Sequence, residues 1–134
     1  MGYRSDVYIA VAFESKSDME EVLAVYAINQ QVHKLDLVKE WEVKEDNILF
    51  HAEVGVKWYD SYEDVQGVEH MLTLVDQFHS EREMPVAYRF VRLGEDNDDI
   101  ETREGHGGDE GQLIEKLWDG MRVSRMSRMV EVSL

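Results

Sequence analysis

Ile48-Leu49-Phe50-His51-Ala52-Glu53-Val54-Gly55-Val56 is the stretch that decides the fold. Ile48, Phe50, Ala52, Val54 and Val56 recur at every second position, the period at which a strand shows one face. His51 then falls on the polar face. Gly55 marks a bulge. Just upstream, Glu45-Asp46-Asn47 is a turn cluster, and Trp41 and Val43 alternate with charged residues. Segments 40–44 and 48–58 therefore predict an antiparallel hairpin.

The flanking segments supply the other elements. Residues 6–13, DVYIAVAF, form a short apolar run bounded by charge, the pattern of a buried central strand. Ser17-x-x-Glu20 predicts a capping box. Met19, Val22, Leu23, Tyr26 and Ala27 follow at helical spacing, to an end near Gln31, and Leu35, Leu37 and Val38 are expected to pack as the chain leaves. Downstream, Ser61 before Asp64 signals a second helix over 62–80, with Val65, Val68, Leu72 and Val75 as its apolar stripe. Gly67 inside it costs about 1 kcal/mol relative to alanine, so close approach of a neighbour is its expected reason. Pro85 stops that connection. Residues 87–93 predict a strand, 94–99 a turn and 100–104 a returning strand, followed by a flexible loop at 105–111 and a short helix or turn at 113–118. The weak alternation of 121–132 predicts a closing edge strand, with a helix as the alternative. The order β-α-β-β-α-β predicts an α+β, ferredoxin-like antiparallel sheet with both helices on one face, plus extra C-terminal strand. A chain of 134 residues without repeat or linker fits one domain, 1–134.

Charge narrows the function. Twenty-nine acids against fourteen bases give a net charge of −15. Residues 121–134 hold three arginines against one glutamate, so this segment is locally basic and the remainder carries −17. Such a field repels nucleic acid and anionic membranes and attracts basic surfaces. The absence of cysteine excludes disulfides, thiolate catalysis and Cys-based metal sites. No apolar run approaches the roughly 18–20 residues of a membrane span, and the first residues are not expected to act as a signal peptide.

No motif carries a recognisable chemistry. The acidic turn Glu95-Asp96-Asn97-Asp98-Asp99, with Glu101, is a solvated hairpin turn, a contact for a basic partner, or a weak cation site on Asp96, Asp98 and Asp99. The calcium-loop pattern fails, because a loop starting at Asp96 puts Ile100 and Glu101 at its fifth and sixth positions. His33, His51, His70, His79 and His106 form no HExxH motif and are read as surface histidines. Ser124 and Ser127 lie among arginines without a nucleophile elbow. Gly105-His106-Gly107-Gly108 lacks the Lys-Ser/Thr of a phosphate-binding loop. Arg89 and Arg92 flank aromatics in a manner reminiscent of RNA-binding sheets, yet salt bridges to nearby acids are the expected role in so negative a field. Trp58, Tyr59 and Tyr62 form either a core corner or a partner-binding patch. No cofactor is expected.

MGYRSDV at 1–7, VKWYDSYEDVQ at 56–66 and AYRFVRLGEDNDDIETREG at 87–105 together resemble a family of small acidic proteins of tailed bacteriophages and prophages. Tyr3, Arg4, Asp6, Trp58, Tyr59, Arg89, Arg92, Glu95, Asp98 and Asp99 match the family's recurrent phrases, whereas RMSRM at 125–129 departs from its shorter ending. The resemblance implies a phage origin and action in the host cytoplasm, and it supplies no catalytic residue. With the charge, it leads to the expectation of a non-enzymatic protein that binds a basic surface, such as a host nucleic-acid-binding protein. Its acids would mimic phosphate and so inhibit a defence factor. Glu95, Asp96, Asp98, Asp99, Glu101, Tyr59 and Tyr62 are the expected contacts. The alternatives are a divalent-metal-dependent nucleotide or small-molecule binder, and a homodimeric assembly accessory joined through a sheet edge.

Overall fold

β1 (Ser5–Phe13) runs through the middle of a five-stranded sheet in the computed structural model, which describes residues 2–32, 37–107, 111–124 and 126–134. It is followed by α1 (Lys16–Val32), a single 3-10 turn (Val38–Glu40), β2 (Glu42–Lys44), β3 (Ile48–Val56), α2 (Glu63–Arg82), β4 (Val86–Gly94) and β5 (Ile100–Gly107). Then come α3 (Gly111–Gly120), β6 (Met121–Ser124) and β7 (Met129–Val132). The strand order is β2-β3-β1-β4-β5, with every neighbouring pair antiparallel. The protein is thus α+β, and no helix among the described residues is long and apolar enough to cross a membrane.

Alternation along β1 explains the layers. Val7, Ile9, Val11 and Phe13 point to one face, where Met19, Val22 and Tyr26 of α1 and Val68, Met71, Leu72 and Val75 of α2 cover them. Ala10 and Ala12 point to the other, where Ile114 and Leu117 of α3 and Met121 of β6 pack. Alanine at those positions, with Ala87 beside them, lets the short helix α3 come close to the sheet. The sheet is therefore covered on both sides, not only by the two long helices.

Several local expectations change. Residues 121–132 do not close the main sheet. β6 and β7 form a separate antiparallel hairpin, with Met121 opposite Val132, whose Val123 and Val130 pack on the second face. Four-residue strands and apolar residues on one side suit a small flap better than an edge strand. The cap of α1 is Ser15, two residues before the expected one: its Oγ accepts from the Asp18 N–H at 3.1 Å. Ser61 does not cap α2; Tyr62 holds the cap position without a side-chain bond, and the Asp64 carboxylate accepts from the Val65 N–H at 2.9 Å. Gly105 to Gly107 end β5 and Gly111 opens α3; residues 108–110 of the expected loop, and Leu35, lie outside the described residues.

The hairpin that decided the fold is present, with Glu45 and Asp46 at positive φ in its turn. Gly55 has φ +66° and sits at a register break where Val54 and Gly55 together oppose Asp6, the expected bulge. His51, in contrast, is not a surface residue. It is 2% exposed, its Nδ1 lies 2.9 Å from the Glu40 carbonyl, and its ring packs on Trp41. The period was right and the sidedness was not, because the larger core lies on the Leu49 and His51 face. Val54 on the other face is 67% exposed.

Candidate functional site

The two long helices leave one end of their face of the sheet uncovered. Three strands bring side chains to that end by alternation. Ser5 of β1, Phe90 and Arg92 of β4, and Glu101 and Arg103 of β5 all point to the helix-bearing side, with Phe90 opposite Arg103 and Arg92 opposite Glu101. Trp58, Tyr59 and Asp60 before α2, Glu69 within α2, Tyr3, and Asp99 from the β4–β5 turn complete the walls. They enclose a cleft of about 640 Å³.

Two guanidinium groups brace it. Arg92 is 18% exposed; its Nη2 donates to Asp99 Oδ1 at 2.8 Å, its Nη1 to Asp99 Oδ2 at 3.1 Å and to Ser5 Oγ at 3.2 Å, and its Nε to Glu101 Oε1 at 3.0 Å. The bidentate Asp99 pair is the strong, directional kind of ion pair. Those hydrogen bonds from Arg92, and then one from the Tyr3 hydroxyl at 2.6 Å, hold the Asp99 carboxyl below the usual carboxylate range. The Asp99 bond also raises Arg92 above its ordinary value, against the opposing effect of burial. Arg103 lies over the Phe90 ring at 3.9 Å, bonds Glu69 through Nη2, and brings Nε within 3.2 Å of Glu101 Oε2, an ion contact without hydrogen-bond alignment.

Tyrosines tie this frame to the N-terminal segment. The Tyr3 N–H donates to Tyr59 Oη at 2.7 Å, and the Asp96 N–H donates to Tyr3 Oη at 3.1 Å. Gly94 is needed here, because a Cβ at that position would collide with the Asp99 carboxylate and the Tyr3 hydroxyl. From the far side, Arg128 at the β6–β7 turn donates to the carbonyls of Asp96, at 2.7 Å, and Gly94. The locally basic segment thus docks on the acidic turn.

The expected contact residues separate into three groups. Asp99, Glu101 and Tyr59 line the cleft. Glu95 accepts from the Arg4 N–H at 2.9 Å, and Asp96 acts through its backbone. Asp98 is exposed, and Tyr62, 40% exposed, stands edge-on to Tyr59 outside the cleft. Among the described residues no three His, Asp or Glu side chains converge to hold a metal ion, so Asp96, Asp98 and Asp99 form no ligand set. Of the two flagged arginines, Arg92 makes the expected salt bridges; the buried Arg89 Nε has no hydrogen-bond partner. His70 lies 3.0 Å from Asn29 through Nε2, whereas His33 and Arg125 lie outside the described residues.

Sequence reasoning missed Ser5, Asp60, Glu69 and Arg103. The signal for Arg103 was present: folding 86–94 back on 100–107 about the Gly94–Asp99 turn sets Glu101 and Arg103 opposite Arg92 and Phe90. Glu69 carries no comparable signal, since its place depends on how α2 lies on the sheet.

The net charge of this lining is −2: Asp60, Glu69, Asp99 and Glu101 against Arg92 and Arg103. Asp60 is exposed and its carboxylate makes no hydrogen bond or ion pair with the described residues; only its backbone carbonyl is used, by Gln66. A cleft with aromatic walls and surplus negative charge suits a cationic group. No family model, curated protein or solved structure matches the chain.

Proposed function

We propose that this protein is a binding module without chemistry of its own, and that it engages a basic macromolecular surface through the cleft end of its sheet. One observation carries the reading: an aromatic-walled cleft has a lining of net charge −2, with its carboxylates Glu69, Asp99 and Glu101 braced by arginines, in a chain of net charge −15. Carboxylates held by Arg92, Tyr3 and Arg103 need no reordering when a partner arrives, which lowers the entropy cost of binding. The overall field steers basic partners and makes the association salt-dependent.

The finer reading is a phage protein acting in the host cytoplasm, whose acids stand in for nucleic-acid phosphates on a host defence factor. Its supports are the net charge and the resemblance of residues 1–7, 56–66 and 87–105 to small phage proteins. A ferredoxin-like reading of the first four strands is supported by the order β2-β3-β1-β4 and by the packing of α1 and α2 on one side. Affinity capture from a bacterial host lysate tests the function. The expected result is a basic, nucleic-acid-binding protein retained at low salt, released as salt rises and displaced by DNA. Capture of nothing at low salt overturns it.

A further inference from the structure

We infer that the cleft between Trp58, Tyr59, Asp60 and Glu69 receives an arginine side chain of the partner. This rests on the binding reading above and names the group recognised at that site.

The protein's own arginines show what the cleft accommodates. Arg103 lays its guanidinium on the Phe90 ring while bonding Glu69, and Arg92 forms a two-pronged pair with Asp99. Together they hydrogen-bond both oxygens of Asp99, one of Glu101 and one of Glu69, and Arg103 lies in ion contact with the second oxygen of Glu101. Both carboxylate oxygens of Asp60 and the second oxygen of Glu69 remain, and these are the acceptors a further cation can use. Trp58, half-buried against Phe90 at a ring separation of 6.4 Å, and Tyr59 supply the aromatic wall beside them. The surplus charge of −2 opposes an anion and favours a cation. A planar guanidinium suits this better than an ammonium, because it stacks on a ring and bonds a carboxylate with the same plane. A volume of about 640 Å³ is ample for one side chain and the backbone that delivers it.

The test is an NMR titration of the full chain with N-acetyl-arginine methylamide, the lysine counterpart and inorganic phosphate. The arginine probe is expected to give saturable shifts at the Trp58 indole and at amides of residues 58–60, 69 and 99–103. Binding of the lysine probe should be about fivefold weaker. Asp60→Asn should weaken the arginine probe by about fivefold with unchanged melting, since the Asp60 carboxylate makes no hydrogen bond or ion pair among the described residues. Trp58→Ala should weaken it as well, with its fold checked by the spectrum itself. Shifts that do not saturate, that spread over the surface, that are stronger with phosphate or that keep the parent's affinity in Asp60→Asn overturn the inference. The two readings fail separately. If the intact protein and Asp60→Asn capture a basic partner equally, the cleft assignment falls and the binding function stands. If the arginine probe saturates the cleft but no basic partner is captured at low salt, the binding function falls.

Discussion

Two aromatic and polar networks lie on the helix-bearing face of one sheet, and they differ in what their polar groups leave over. In the first, Tyr26 donates its hydroxyl hydrogen to the Gly67 carbonyl at 2.8 Å and accepts from Trp41 Nε1 at 3.3 Å, deep between α1, α2 and β3. Tyr26 is fully buried and Trp41 is 6% exposed. Each polar atom of that hydroxyl is used, as burial requires. In the second, at the cleft, Arg92 and Arg103 hold together four elements but leave carboxylate oxygens and ring surface open. The first network closes on itself and specifies how two helices pack, through the Tyr26 hydroxyl on the Gly67 carbonyl. The second is equally fixed but incomplete, which distinguishes a binding site from a piece of core.

Phe90 belongs to both regions, since it is fully buried in the main core and carries the Arg103 guanidinium. Phe90→Ala is expected to cost about 3–5 kcal/mol, the largest loss of the set, seen as a lowered urea midpoint. A loss under about 1 kcal/mol would mean that the cleft floor is not continuous with the core. The closed network comes next. Tyr26→Phe keeps the ring, strands the Trp41 N–H and removes the second hydrogen bond to the Gly67 carbonyl, so it should cost about 1–3 kcal/mol. Burial pushes the Tyr26 hydroxyl up to about 12, against the smaller lowering by the Trp41 bond. A raised value means the neutral form is the one the fold favours. Its contribution is whole below about pH 10, the ordinary tyrosine value, and is lost as pH rises through about 12. Tyr26→Phe should accordingly flatten the alkaline limb of a stability–pH curve. An unchanged limb would show that this hydroxyl is not closed off as described.

At the cleft the pH dependence has the opposite sign. Asp99 is held below the usual carboxylate range by Arg92 and Tyr3, so its contribution is complete above about pH 3.9 and is lost as pH falls through its lowered value. Asp99→Asn should cost about 1 kcal/mol at pH 7, the lower range for a half-exposed charged bond. The gap between the two proteins should close in acid. A gap that persists at pH 2 would assign the loss to shape and not to charge.

How much of this was legible in the sequence follows the same division. Period and turn chemistry reveal elements: the β2–β3 hairpin, the Gly55 bulge, both long helices and β4–β5 follow from alternation, i+3 spacing and Gly, Asp or Asn at turns. Sidedness is harder. His51 reads as polar-out because histidine is polar, but a pocket between Trp41 and the Glu40 carbonyl outweighs that preference. The flap of β6 and β7 was missed because weak alternation over twelve residues does not say which sheet it joins, and Arg128 and Met121 fix it by contacts distant in sequence. At the cleft the acidic turn was visible and its meaning was not. Composition exposes Asp99 and Glu101 as acids, whereas only the folded chain shows that they are paired with Arg92 and that the Asp60 carboxylate has no such partner among the described residues.

That remainder gives the last and smallest stability effect. Asp60→Asn removes a charge without a hydrogen-bond or ion-pair partner among the described residues, so its folding free energy should stay within about 0.5 kcal/mol of the parent. The change lowers the surplus charge of the cleft lining from −2 to −1, and a basic partner should be released at lower salt than from the parent. Glu53 offers the control. It is also acidic, lies on the same sheet and is away from the cleft, with its carboxylate 3.5 Å from His51 Nε2. Neutralising Glu53 changes the chain's net charge by the same amount. If Asp60→Asn and Glu53→Gln shift the release salt equally, only the total field matters and the two networks do not differ in function. If Asp60→Asn shifts it more, position decides, and the open network is the one that binds.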